Sequence, residues 1–281
     1  MPAARDFCVY PQTLGRAYVF DLDATLYLGD ELLPGAKRLI DELRRREIPL
    51  RFLSNYPNRS PEGQAAKLCR LGLGATVDEV TNPVVTTVRW LLDNYPDATV
   101  FPIAEEPLLT ALRDAGIHVS DDPEQVDIVI ASYDRGFDYR KLQIAFDAIW
   151  LHKRAFLVET NPDLYCPLPG GGEPDTGAIA AAIETCTGTR VQVNLGKPNP
   201  LILEVALAGL DLDPADCVMV GDRLHTDMQM ALDTGMRGAL VLTGETTVED
   251  VAQLTPEARP RYILDRVDRL MPAAIRAELG W

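Results

Sequence analysis

The chain is short of positive charge, of paired cysteines and of long apolar runs, and each shortage counts against a class of function. Lys and Arg together number 27 against 42 Asp and Glu, a formal net charge of -15 at pH 7. Nucleic-acid polymers are bound through clustered Lys and Arg that displace counterions from phosphates, so the acidity argues against such a partner. The same deficit argues against an anionic membrane surface. The five cysteines, Cys8, Cys69, Cys166, Cys186 and Cys217, are scattered and contain no C-x-x-C pair. That pattern speaks against a disulfide framework or a zinc site and for free thiols in a reducing compartment. No run approaches the about 18 apolar residues that span a bilayer, and the opening Met1-Pro2-Ala3-Ala4-Arg5-Asp6 lacks the apolar centre of a secretory signal. The expectation is a soluble, cytoplasmic protein.

What is present suits a globular enzyme. The 281 residues are 47% apolar and 25% charged, enough for a substantial core. At about 100–200 residues per domain, the length allows one large or two ordinary domains. Short runs of Val, Ile, Phe and Leu alternate with stretches of helical period. Strands are expected at 18–21, 50–54, 217–220, 238–242 and 262–264. Helices are expected at 34–46, 60–71, 199–208 and 226–233. This alternation implies a Rossmann-like parallel sheet covered by helices. The middle of the chain has strands of its own at 98–102, 127–132 and 155–160, with helices between them and a Pro/Gly-rich loop over 167–174. It is expected to be an inserted α/β domain over 81–187, with 1–80 and 188–281 forming the core domain.

Ligands in a parallel α/β sheet sit beyond the carboxyl ends of the strands, and the polar residues gather there. Asp21-Leu22-Asp23-Ala24-Thr25 follows the first strand, and two acids at i and i+2 can face one pocket where the chain leaves the sheet. Leu53-Ser54-Asn55 closes the second strand with a hydroxyl and an amide, groups able to hold phosphate oxygens. Gly196-Lys197-Pro198 sets a lysine in a tight turn, where it can act as a point charge on phosphate. Gly221-Asp222-Arg223-Leu224-His225-Thr226-Asp227 adds two more carboxylates beyond another strand. Each segment alone is a common turn or loop opening. The four in this order, each at a strand end or loop, form a coherent phosphate-handling set.

In these segments the chain resembles the haloacid dehalogenase superfamily of phosphatases, over nearly its whole length. Within it the chain is similar to the 4-nitrophenylphosphatase-like subfamily. The likeness extends to Tyr27-Leu28-Gly29-Asp30 with Pro34-Gly35-Ala36, to Thr160-Asn161-Pro162-Asp163, to Gly196-Lys197-Pro198-Asn199-Pro200, and to Leu242-Thr243-Gly244-Glu245-Thr246-Thr247. The resemblance implies Asp21 as nucleophile, Asp23 as general acid and then base, and Ser54 and the Asn55 backbone as phosphate binders. Lys197 would steady the nucleophile and the transferring group. Mg²⁺ would be held by the Asp21 and Asp222 carboxylates and the Asp23 carbonyl, with Asp227 supporting that shell.

The implied substrate is a small phosphorylated metabolite, with sugar or polyol phosphates the first expectation. Nucleoside monophosphates, phosphoglycolate and pyridoxal phosphate are alternatives. The inserted module would be a cap, with Asn161, Asp163 and the loop through Gly172 as leaving-group contacts or as a plain turn. A homodimer through the cap is open. Trp90 and Trp150 are expected in the core and His225 facing solvent, while Asp134-Arg135 is either a further segment shared with the subfamily or a salt-bridged surface turn.

Two departures stand out. Ala24 occupies a position where the subfamily has glycine, and a positive φ there would strain its methyl group. Asn55-Tyr56 replaces the subfamily's Asn-Asn. Other readings fare worse. A dehalogenase needs no acid at 23, because a halide leaves without a proton, and a phosphomutase would carry its cap between Asp21 and Ser54. A receiver-like domain would have no reason for the middle module. A non-catalytic binding protein on the same fold would be marked by a lost motif acid, and none is lost.

Overall fold

The computed structural model describes residues 7–168 and 171–281. These fold as two compact units, one of Met1–Ser54, Ala65–Val80 and Ala206–Trp281, the other of Asn55–Gln64 and Thr81–Val205.

The first unit is built on a six-stranded sheet in the order Tyr262–Leu264, Arg237–Val241, Cys217–Gly221, Ala17–Phe20, Leu50–Leu53 and Val80–Thr81. The pairings from Tyr262–Leu264 through Leu50–Leu53 are parallel. Ala17–Phe20 lies between two neighbours and buries every side chain, which is why it reads as an unbroken apolar run rather than an alternation. Helix Ala36–Arg45 buries Leu39, Ile40 and Leu43 along one stripe, the three-and-four spacing of an amphipathic helix. Those side chains join Phe20, Phe52 and Leu68 in the core. Sheet order reverses at Ala17–Phe20, since Leu50–Leu53, the next strand of this sheet along the chain, lies on one side of it and Cys217–Gly221 on the other. Phe20 is level with both Val220 and Phe52. Asp21, Ser54 and Asp222, each one or two residues further on, therefore emerge along one edge of the sheet at its switch point.

The second unit has a five-stranded sheet in the order Val193–Asn194, Phe156–Glu159, Ile128–Ala131, Thr99–Ile103 and His118–Val119, parallel throughout. Separate apolar clusters, one around Trp90, Leu108 and Leu112 and one around Ala145, Ile149 and Ile183, carry its core. Helix Pro83–Asn94 starts as its sequence suggests, with the Asn82 side chain accepting from the Val84 and Val85 N–H groups and Pro83 in the first turn.

Three details differ from expectation. Residues 55–64 and 188–205, both expected in the core domain, group with the second unit; Val193–Asn194 pairs with Phe156–Glu159, and so short a strand leaves no periodic signal. The Pro/Gly-rich stretch is a hairpin, Tyr165–Leu168 against Gly171–Pro174. Proline is tolerated there because a two-stranded ribbon has outer edges that need no partner. Pro169 and Gly170 lie outside the described residues. Trp150, expected in the core, is 54% exposed and stacks on Phe146 at 5.1 Å between ring centroids. Helix Tyr139–Phe146 widens into a π turn over Asp147–Leu151, which shifts the face that a 3.6-residue period assigns to Trp150. Trp90 is buried as expected.

Candidate active site

Asp21 is the first residue beyond the central strand, anchored by its N–H donating to the Val220 carbonyl at 2.8 Å. Asp222 follows Cys217–Gly221 immediately, and Asp227 lies in the π turn Leu224–Met228 that comes next. Oxygens of these three carboxylates lie within 4.8 Å of one another. The residues are nearly withdrawn from solvent, at 8%, 3% and 0% exposure for Asp21, Asp222 and Asp227. Burial, then the charges of Asp21 and Asp227, pushes the Asp222 carboxyl up to about 7. An all-oxygen set of this kind fits a hard divalent cation, which would remove the mutual repulsion.

The carboxylates are held by backbone and by missing side chains. Asp222 Oδ2 accepts the Glu245 N–H at 2.8 Å, and Asp227 Oδ2 accepts the Arg223 N–H at 3.2 Å. A Cβ at Gly244 would run into Asp222 Oδ2, and one at Gly221 would run into the Asp227 carboxylate. Those glycines are what allow the acids to approach so closely. Asp227, expected to support the cation shell, has an oxygen within 4.8 Å of those of Asp21 and Asp222. The Asp23 side chain stays out of the group and is exposed, so any share it has in a cation is through its carbonyl.

Two partners of the motif acids are not singled out by the sequence reading. The buried Thr25 hydroxyl donates to Asp21 Oδ2 at 3.0 Å, and the Tyr27 hydroxyl donates to Asp23 Oδ2 at 3.2 Å. Both lie four residues after the acid they serve, a spacing that would have pointed to them. Ser54, 5% exposed, follows the Leu50–Leu53 strand as expected.

Ala24 has a φ of 59°, the left-handed region that costs an L-residue about 1–2 kcal/mol. The conformation is imposed from both sides, since Ala24 N–H donates to the Tyr27 carbonyl at 2.7 Å and Thr243 Oγ1 donates to the Ala24 carbonyl at 2.6 Å. Glycine would remove the strain but widen the unfolded ensemble, a partial offset. Ala24→Gly is therefore expected to raise stability by about 0.5–1 kcal/mol, read from the urea unfolding midpoint. A lower midpoint would mean that the methyl group earns its place by packing.

Within the second unit, Asn55 brackets the backbone of Lys197. Its Oδ1 accepts the Lys197 N–H at 2.7 Å and its Nδ2 donates to the Lys197 carbonyl at 3.2 Å and to Asp163 Oδ2 at 3.2 Å. Asn161 is fully buried. Its Nδ2 donates to the Asn55 carbonyl and to Thr176 Oγ1, while its Oδ1 accepts the Asp163 N–H at 3.0 Å. These bonds make Asn161 the organiser of its turn. Asp134 and Arg135 are paired with Lys141 and Glu105. The His225 side chain is 59% exposed, 3.6 Å from Glu245.

An acid directly after the central parallel strand, with two further acids after the neighbouring strand, is the arrangement of a haloacid dehalogenase-like hydrolase. The family model described by that name matches residues 18–118, and a second, HAD-hydrolase-like, matches 194–270. An acid sugar phosphatase of Staphylococcus haemolyticus is 36% identical over 88% of this chain and 92% of its own length. Among solved structures, a 4-nitrophenylphosphatase from Thermotoga maritima is 30% identical with a TM-score of 0.83, covering 91% of this chain and 95% of its own. A p-nitrophenyl phosphatase from Archaeoglobus fulgidus is 28% identical with a TM-score of 0.84, covering 92% and 98%. The chain belongs to the haloacid dehalogenase-like hydrolases, among the phosphatases of that family. No helix among the described residues is long and apolar enough to cross a membrane.

Proposed function

We propose that the chain is a Mg²⁺-dependent phosphatase of small sugar phosphates that works through an aspartyl-phosphate on Asp21. The observation that carries this reading is the gathering of Asp21, Asp222 and Asp227 at the edge of the central strand. The sugar class rests on the acid sugar phosphatases at 36% identity.

Asp21, Asp222 and Asp227 would hold the ion, with the Asp23 carbonyl beside them. When bound, Mg²⁺ offsets the repulsion between the Asp21 carboxylate and an anionic phosphate. Thr25 holds one Asp21 oxygen through its hydroxyl, which orients the carboxylate for attack. Attack by Asp21 on phosphorus forms an acyl phosphate as the ester P–O bond breaks, so one hard hydrolysis becomes two displacements. Asp23 gives a proton to the leaving oxygen and then takes one from the water that cleaves the acyl phosphate. Ser54 and the Asn55 backbone are assigned to phosphate, and Lys197 to the nucleophile and the transferring group. The second unit is assigned as the cap, with Asp163 as a leaving-group contact and Asn161 shaping the turn that carries it. Pairing of two copies through this unit belongs to the same reading. It is supported by the exposed Tyr139, Trp150 and Leu151, apolar surface of the kind that protein contacts cover.

The test is phosphate release from 4-nitrophenyl phosphate and from a panel of hexose, pentose, polyol and nucleoside phosphates, with Mg²⁺ and after chelation. Sugar phosphates are expected to give the highest kcat/KM, and chelation is expected to abolish turnover until Mg²⁺ is restored. Chelator-resistant turnover would remove the cation from the account. A consistent preference for nucleoside monophosphates would remove the sugars.

A further inference from the structure

The acid assigned to proton transfer is exposed, yet one of its oxygens is tied to a buried pair of residues that the mechanism above does not use. After Asp21 the chain turns back on itself. Leu26 N–H donates to the Leu22 carbonyl at 2.9 Å, Ala24 N–H donates to the Tyr27 carbonyl at 2.7 Å, and residues 23 and 27 are bridged. The turn brings the Tyr27 hydroxyl to 3.2 Å from Asp23 Oδ2. Tyr27 is only 1% exposed, and the Lys67 ammonium, itself 7% exposed, lies 3.8 Å from the centre of its ring. A buried cation, an aromatic ring and a phenol O–H thus end in series on the Asp23 carboxyl.

We infer that Tyr27 is a positioning residue for proton transfer by Asp23, with Lys67 as its support. This rests on the acid–base role proposed for Asp23. An exposed Asp samples several rotamers, and a misplacement of about 1 Å can cost roughly a hundredfold in rate. The Tyr27 bond fixes Oδ2 as an acceptor and narrows the orientations open to the carboxyl. The ammonium over the ring is attracted to its π face, holds the ring in place, and draws electron density that makes the hydroxyl a stronger donor.

The competing explanation is that Tyr27 only fills the core, to which it also belongs. The leaving group separates the two. In the first step the Asp21 oxygen bonds to phosphorus and the ester P–O bond breaks, leaving the electron pair on the departing oxygen. A sugar alkoxide then needs the Asp23 proton, whereas 4-nitrophenolate departs without one. In the second step water attacks phosphorus, the P–O bond to Asp21 breaks, and Asp23 takes the water's proton. Because kcat/KM covers events only through the first irreversible transfer, it isolates the acid role.

Tyr27→Phe keeps the ring and removes the hydroxyl. It is expected to lower kcat/KM for the best sugar phosphate by about 10–100-fold and for 4-nitrophenyl phosphate by less than about threefold. Lys67→Met is expected to repeat the split more weakly, which provides a second variant should Tyr27→Phe fold poorly. Asp23→Asn serves as reference and should show the largest split. Equal losses on both substrates, or no loss, in the Tyr27 and Lys67 variants would overturn the inference. If the wild type works but Asp23→Asn shows no split, the acid assignment fails and takes this inference with it. A wild type that releases no phosphate would instead sink the phosphatase reading.

Discussion

Asp21→Asn is expected to give a folded protein whose turnover is lower by at least on the order of a thousandfold, the scale of losing a covalent nucleophile. The amide oxygen is a poor nucleophile, and the substitution also removes one of the three charges that would hold the cation. The fold should survive. The residue's backbone anchor, the N–H donated to the Val220 carbonyl, does not depend on the side chain, and Thr25 can donate to an amide oxygen as it does to a carboxylate. Steady-state kinetics beside a thermal melt check both halves. A folded variant that keeps most of its activity would rule out attack by Asp21.

Asp222→Asn should separate stability from activity. In the cation-free protein the Asp222 carboxyl is raised from its ordinary 3.8 to about 7, first by burial and then by Asp21 and Asp227. The folded chain therefore keeps a proton that the unfolded chain releases across that window. Stability contributed by this group is present at low pH and falls as pH rises from about 4 to about 7, leaving a net cost on the alkaline side. An amide at this position carries no charge to bury. Without cation at pH 8, Asp222→Asn is expected to be more stable than the wild type by on the order of 1 kcal/mol or more, with a flatter dependence on pH. Mg²⁺ should reverse the order. A ligand at a hundred times its Kd adds about 2.7 kcal/mol to the protein that binds it, and the variant, lacking a ligand, should gain little while turning over at least about a hundredfold more slowly. Thermal unfolding at pH 5 and pH 8, with and without Mg²⁺, reads all of this. Equal stabilisation of both proteins by Mg²⁺ would take Asp222 out of the cation site.

The parts of this site that could be read from the sequence are those fixed by short-range rules. An apolar strand that stops at an acid places that acid at the sheet edge, and Asp21, Ser54 and Asp222 stand where Phe20, Phe52 and Val220 are in register. The helix opened by Asn82-Pro83 follows from capping chemistry alone. Contacts set by the path of the chain through space were harder to read. Tyr27 and Thr25 serve the motif acids only because the backbone doubles back after Asp21, a turn made with Ala24 in a conformation that alanine disfavours. Gly244 looks like an ordinary turn glycine until its approach to Asp222 is seen. Val193–Asn194 is too short for periodicity to reveal, and it carries 188–205 into the second unit. Trp150 departs from the usual burial of tryptophan, because it lies in a π turn that carries it to the surface.

The most direct measurement is to quench the enzyme in acid during turnover, digest it and map the peptides by mass. Asp21 attacking phosphorus predicts one added phosphoryl group on the peptide spanning residues 17–37, labile to hydroxylamine as an acyl phosphate is, and absent from Asp21→Asn. A preparation that releases phosphate while every quenched peptide stays unmodified, or that carries the group on another residue, would contradict the account.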